Sequence, residues 1–313
     1  MDSIIRLQNV TKSFGKKRVL TGISLEIKKG ELFAVIGMSG SGKTTLLNTI
    51  IGFIQPDNGD VLFNFNKKEV SVFRATLEVH KRIGFSSQLP SFYPKLTVFE
   101  NLDYFGAMYN LPKKERIVAI NSVLKLVELV NSRDAIAGKL SGGMKKRLDI
   151  ACSLIHNPDI LILDEPTADL DPVLREQTWQ FIEKINNQGT TVIIASHFLE
   201  EVEKICDRIG MLHNSQITHI GSPDQLRDLY TKSKEIHLLT SPGKYEKIVK
   251  RLNKKMLAIE NVFEKDKKLV VFTKKPEQTL HVILKLVDKN KENLVDVTLR
   301  KPTLDEIFHS LVK

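Results

Sequence analysis

The chain has 313 residues, 42% of them hydrophobic and 27% charged, enough to build one large domain or two smaller ones. No apolar run approaches the roughly 20 residues that cross a bilayer, and "MDSIIRLQNVTKSF" lacks the basic and apolar regions of a secretory signal, so the expected location is cytosolic. The net charge of +10 is uneven: residues 231–313 carry 19 Lys and Arg against 11 Asp and Glu, although Lys outnumbers Arg 35 to 12 throughout, which favours a Lys-rich background over an acidic partner.

In chain order, "IIRLQNV" and "GISLEIKKGEL" alternate as strands around a "GKKR" turn. "LFAVIG" is a continuous apolar run of the buried-strand type, followed by a Gly-rich loop and the helical pattern "KTTLLNTIIG". "PDNG" reads as a turn and "DVLFNFN" as a strand. "VFENLDYFGAMY" and "KKERIVAINSVLKLVELV" place apolar residues at helical spacing. "PDILILDEP" and "TTVIIASH" are apolar strands flanking a helix that Pro172 opens and Gly189 closes. Strands alternating with helices predict an α/β fold with a parallel sheet covered on both faces. Beyond "GSPDQLRDLY" the order becomes strand, helix, hairpin, helix, strand and a final helix "TLDEIFHSLV", which predicts a small α+β domain of ferredoxin-like type. The expected domains are 1–230, with a helical subdomain over about 95–157, and 231–313. Cys152 and Cys206 have no metal or redox spacing and read as core residues.

"GMSGSGKT", residues 37–44, fits the P-loop pattern in its required context, strand before and helix after. Gly37, Gly40 and Gly42 let the backbone curl so that the N–H groups of Met38, Ser39, Ser41 and their neighbours converge on one centre. Lys43 reaches the β- and γ-phosphates of a nucleotide, Thr44 offers a hydroxyl to Mg²⁺, and Thr45 extends the cradle. "ILILDEP" ends a strand in Asp164, a carboxylate for the Mg²⁺ shell, followed by Glu165 as a general base or water-orienting group. These two motifs specify nucleotide binding; a P-loop kinase or a GTPase is still open at this point.

"KLSGGMKKRL" (139–148) narrows it. Ser141 can cap a helix whose first N–H groups, at Gly142 and Gly143, favour an anion, a second cradle that one nucleotide does not need. With this stretch, residues 3–225 resemble the nucleotide-binding subunit of ATP-binding cassette (ABC) proteins: an α/β P-loop NTPase of RecA-like core, with an antiparallel β subdomain and a helical signature subdomain. Leu140 to Met144 is similar to the signature, 23 residues ahead of Asp164; Gln88 in "GFSSQLP" to the Q-loop glutamine; "TADLDP" to the D-loop; His197 to the switch histidine. Phe14 sits where the family stacks an aromatic ring on adenine. Met144 replaces a more common Gln, as in the exporter branch of ABC-2 type, and "PTLDEIF" resembles that branch's tail.

The resemblance implies an ATPase with ATP and Mg²⁺ as cofactors. Lys43, Gln88, Glu165 and His197 are the implied catalytic groups, and Thr44, Gln88 and Asp164 the implied metal ligands. Ser141, Gly142, Gly143 and Asp171 would act across a head-to-tail dimer, on the partner's ATP. It also implies separately encoded transmembrane permease subunits at the cytoplasmic face of the cell membrane, docked near "LPSFYPKLTVFENLDYFGAMY", with Phe92 and Tyr93 as interface candidates. No nucleic acid is expected. The alternative is a soluble ABC ATPase acting on ribosomes or nucleic acid, which only the basic tail favours.

Overall fold

The computed structural model describes residues 2–65, 68–230, 234–252, 254–265, 267–300 and 304. The chain divides into two compact units, 1–223 and 224–313, a boundary slightly earlier than the change of pattern suggests.

The first unit opens with a hairpin of β1 (Ser3–Phe14) and β2 (Lys17–Lys28), reversed at Gly15, whose φ of 58° suits the turn. There follow β3 (Leu32–Ile36), α1 (Lys43–Ile50), β4 (Asn58–Phe65), β5 (Lys68–Ser71), α2 (Thr76–His80) and β6 (Ile83–Ser86). Next come α3 (Val98–Met108), α4 (Lys113–Leu126), α5 (Gly142–Leu154), β7 (Ile160–Asp164), α6 (Pro172–Asn187) and β8 (Thr191–Ser196). The unit finishes with α7 (Leu199–Val202), β9 (Arg208–His213) and β10 (Gln216–Gly221), and α8 (Pro223–Tyr230) follows.

Two sheets result. One is antiparallel, in the order β2-β1-β4-β5; the other runs β10-β9-β3-β8-β7-β6, parallel throughout except for β10 at its edge. Every residue of β3, β7 and β8 is buried, which is why these strands read as unbroken apolar runs. Ile5, Leu7, Phe63, Leu46, Leu47, Ile162 and Ile193 belong to one core shared by both sheets and α1. All three parallel strands end on the same edge, at Ile36, Asp164 and Ser196, so the groups that follow them meet there.

Helices α3, α4 and α5 pack on one another between β6 and β7. α3 starts with a full capping box: the Thr97 hydroxyl accepts from the Glu100 N–H while the Glu100 carboxylate accepts from the Thr97 N–H. Cys152 and Cys206 are buried, and burial pushes both thiols well above their ordinary range, as inert core residues require.

The second unit contains β11 (Lys234–Ser241), α9 (Glu246–Arg251), β12 (Ile259–Lys265), β13 (Lys268–Thr273), α10 (Pro276–Lys289) and β14 (Asn293–Arg300). Its sheet is antiparallel in the order β12-β13-β11-β14, the split βαββαβ arrangement expected of a ferredoxin-like fold. Ile236, Leu238, Ile248, Leu269, Val271 and Ile283 form a core of its own. The helix expected over "TLDEIFHSLV", and with it "PTLDEIF", lies outside the described residues apart from Leu304. Among the described residues, no helix is long and apolar enough to cross a membrane.

Candidate active site

β3 delivers the chain at Ile36 into a loop that only glycine permits at its critical points. A Cβ on Gly37 would lie 2.5 Å from Ser41 Oγ and 2.6 Å from the Leu212 carbonyl; Gly42 stands at φ 108°, against the Val19 backbone. Gly40, at φ 77°, supplies the remaining left-handed turn. The loop curls around the Lys43 side chain, only 7% exposed, whose Nζ donates to the Gly37 carbonyl at 2.9 Å and the Met38 carbonyl at 3.4 Å. The same ammonium is 3.4 Å from Glu165 Oε1.

Asp164 ends β7 almost fully buried, with Oδ1 lacking any hydrogen-bond partner. Burial pushes its carboxyl upward, an effect that the nearby Thr44 hydroxyl opposes. Glu165 follows at φ 49°, a left-handed conformation uncommon away from glycine. Its N–H nevertheless donates to Ala195 in β8 at 2.9 Å, so the turn stays fastened to the sheet. That twist carries the carboxylate to His197, whose Nδ1 is 2.8 Å from Glu165 Oε2. The imidazole itself is 47% exposed and leans on Phe198, ring centroids 4.0 Å apart.

These groups border a cavity of about 490 Å³. Of the residues expected from sequence, Phe14, Ser39, Gly40, Gly42, Lys43, Thr44, Thr45, Gln88, Glu165 and His197 line it. Gly37, Met38 and Ser41 shape the loop without lining the cavity, and Asp164 does not line it either. Lys17 and Val19 line it too and were not expected. Lys17 pairs directly with Phe14 across the hairpin, so the register of the "GKKR" turn was the available signal.

Ser141, Gly142, Gly143 and Asp171 do not line this cavity. Ser141 caps α5 by accepting from the Met144 N–H at 3.4 Å, and both Ser141 and Gly142 are exposed. Gly143 is buried against Leu174, whose Cδ2 would be 2.7 Å from a Cβ there. Asp171 caps α6, accepting from the Val173 and Leu174 N–H groups at 3.0 Å each. The starts of α5 and α6 therefore pack together through Gly143 and Leu174, apart from the cavity.

One interface candidate is corrected. Phe92 is 8% exposed, on a stretch fastened to two fully buried side chains: Asn101 grips the Tyr93 backbone and Asp149 takes the Ser91 N–H. Tyr93 is exposed at 45%, and its hydroxyl donates to Tyr104 at 3.2 Å.

Residues 20–168 match the model of the family described as ABC transporter. The chain is 31% identical over 308 residues to the linearmycin resistance ATP-binding protein LnrL of Bacillus subtilis, covering 98% of each. It is 36% identical over 222 residues to the Nod factor export ATP-binding protein I of Burkholderia lata, 71% of this chain and 72% of that one. It is 33% identical over 285 residues to the Fe(3+) ions import ATP-binding protein FbpC of Fusobacterium nucleatum, covering 88% and 74%. Among solved structures it is similar to cbiO1 of Clostridium perfringens, part of the ABC transporter complex cbiONQ (TM-score 0.67, 28% identity, 72% of this chain and 91% of that one). It is also similar to a dimeric ATP-binding cassette in a post-hydrolysis state bound to ADP and Pi (TM-score 0.61, 30% identity, 70% and 98%).

Proposed function

The chain belongs to the family of ABC transporter ATP-binding proteins, and on that premise we propose that it is the motor subunit of an exporter. It binds ATP and is an ATPase; in the proposal, two copies close over ATP at the cytoplasmic face of the cell membrane and drive separately encoded transmembrane subunits. The observation that carries the dimer is the start of α5. Ser141 and Gly142 are exposed at a helix start, away from the chain's own cavity, so an anion drawn to that start has to come from elsewhere. The γ-phosphate held by a partner's P-loop supplies it, with Asp171 at the neighbouring helix start facing the same junction.

Within the cavity, Phe14 offers a half-exposed ring to the adenine and the loop from Gly37 to Thr45 cradles the phosphates. Lys43 shares its ammonium between loop carbonyls and Glu165; an arriving γ-phosphate competes for it and frees Glu165 to take the proton of an attacking water. As an imidazolium, His197 donates Nδ1–H to Glu165 and keeps Nε2–H for the γ-phosphate, and Gln88 orients the water. Thr44, Asp164 and Gln88 would hold Mg²⁺, a reading supported by the buried, unpartnered Asp164 oxygen beside the Thr44 hydroxyl. When bound, that ion supplies positive charge to the phosphate oxygens.

Export is favoured over import by the relatives named for Nod factor export and linearmycin resistance, against one named for Fe(3+) import. A membrane partner has a fitting surface in the exposed Leu89, Tyr93, Tyr104 and Met108, next to the Gln88 loop. The test is to tag the chain, solubilise native membranes in mild detergent and identify what co-purifies near stoichiometry. A polytopic membrane protein is expected. Ribosomes or nucleic acid in its place would favour the soluble alternative and direct attention to the basic second unit.

A further inference from the structure

Asp149 belongs to none of the nucleotide motifs, does not line the cavity and is fully buried on α5. Its carboxylate is nonetheless completely engaged, and every donor comes from one short segment. Oδ2 accepts from the Ser86 hydroxyl at 2.5 Å; Oδ1 accepts from the Ser91 N–H at 2.7 Å and the Ser91 hydroxyl at 2.8 Å. One turn earlier on the same helix, Lys146 Nζ donates to the Ser86 hydroxyl at 3.4 Å and the Ser87 carbonyl at 3.3 Å. Positions 146 and 149 are three apart and share a helix face. Both ends of segment 86–91 are thus gripped from a single face of α5, and Gln88, exposed at the cavity, is the residue held between them.

We propose that Asp149, assisted by Lys146, is a positioning residue that yokes the Gln88 loop to α5, so that Gln88 moves into and out of the catalytic cavity only together with that helix. Because α5 begins at Ser141–Gly143, one rigid element carries both the donor surface for the partner's ATP and the loop serving its own. Engagement of one site is thereby reported to the other through the length of a single helix. The catalytic consequence rests on the reading of Gln88 given above; the grip itself does not.

The experiment pairs Asp149→Asn with Gln88→Ala in the full chain and adds amide hydrogen exchange. Asparagine keeps the volume of the side chain but cannot accept on both sides, so exchange across 86–91 rises by about tenfold or more while β3 and β7 keep their protection. Turnover falls by about tenfold with ATP affinity of the monomer unchanged, and the same substitution adds less than about twofold in the Gln88→Ala background, because both act through one group. Ser91→Ala, at an exposed position, should move both readouts in the same direction by less and guards against a folding defect in the first variant. Unchanged exchange, or losses that multiply in the double variant, would overturn the yoke. Wild-type turnover by Gln88→Ala would instead sink the role of Gln88, a failure recognisable because Asp149→Asn still loosens the loop.

Discussion

Glu165 is held by opposing neighbours, with a lysine ammonium on one oxygen at 3.4 Å and a histidine nitrogen on the other at 2.8 Å, on backbone at φ 49°. A left-handed glutamate is sustained by its surroundings and not by its own preference, here by the bond from its N–H to Ala195. Replacing it with glutamine keeps the shape and removes the proton acceptor. The Lys43 ammonium also loses a competing carboxylate, so ATP binding is expected to be unchanged or tighter. Turnover should fall by about 10²-fold or more, the usual contribution of a general base, and an ATP-dependent dimer should accumulate in sedimentation. Near-normal phosphate release by Glu165→Gln would remove Glu165 from its role. Sequence anticipated the placement of this residue at the cavity, because an apolar strand ending in Asp-Glu beside a P-loop allows few readings. It did not reveal Lys17 or Val19, which reach the cavity through hairpin register, nor the burial of Phe92, on a stretch tethered at both neighbours.

Among the elements, those with long, strongly periodic patterns were legible, and those defined by pairing were not. β3, β7 and β8 declare themselves as apolar runs, α3 by its helical spacing, α5 by its cap at Ser141 and α6 by Pro172 at its start. β6 is four residues long, too short for a pattern, although it aims Gln88. β9 and β10 went unread despite a turn at Asn214 and Ser215, both at positive φ, the conformation of a two-residue hairpin loop. The helix that most needs testing is α5, because its start serves no site within its own chain. Ser141→Arg removes one cap, worth about 1 kcal/mol, too little to unfold a helix locked against Leu174. It also fills the donor end with a long cation. Monomer ATP affinity should hold while turnover falls by more than about tenfold, and Ser141→Ala, losing only the hydroxyl, should fall less. Equal turnover in Ser141→Arg and the wild type would refute the shared site.

At the scale of the whole molecule, the two units have separate cores, one built on Ile5, Leu47, Phe63 and Ile162, the other on Ile236, Leu238, Val271 and Ile283. Every residue lining the nucleotide cavity lies between Phe14 and His197, inside the first unit. The second unit has its own four-stranded sheet, which pairs β11 with strands distant in sequence, all of them within that unit. One of its buried carboxylates is satisfied locally: Glu292 accepts from the Thr240 hydroxyl and from the Gly243 and Lys244 N–H groups, which fastens the loop after β11. Each unit should therefore fold when cut from the other. Residues 224–313 alone are expected to unfold in one sigmoidal urea transition, with an m-value of about 1 kcal/mol/M, the low end set by their size. Residues 1–223 alone should bind ATP within about twofold of the full chain, since no lining residue is lost. A gradual, featureless melt of the small fragment, or a first unit that no longer binds nucleotide, would show that the two cores are not independent.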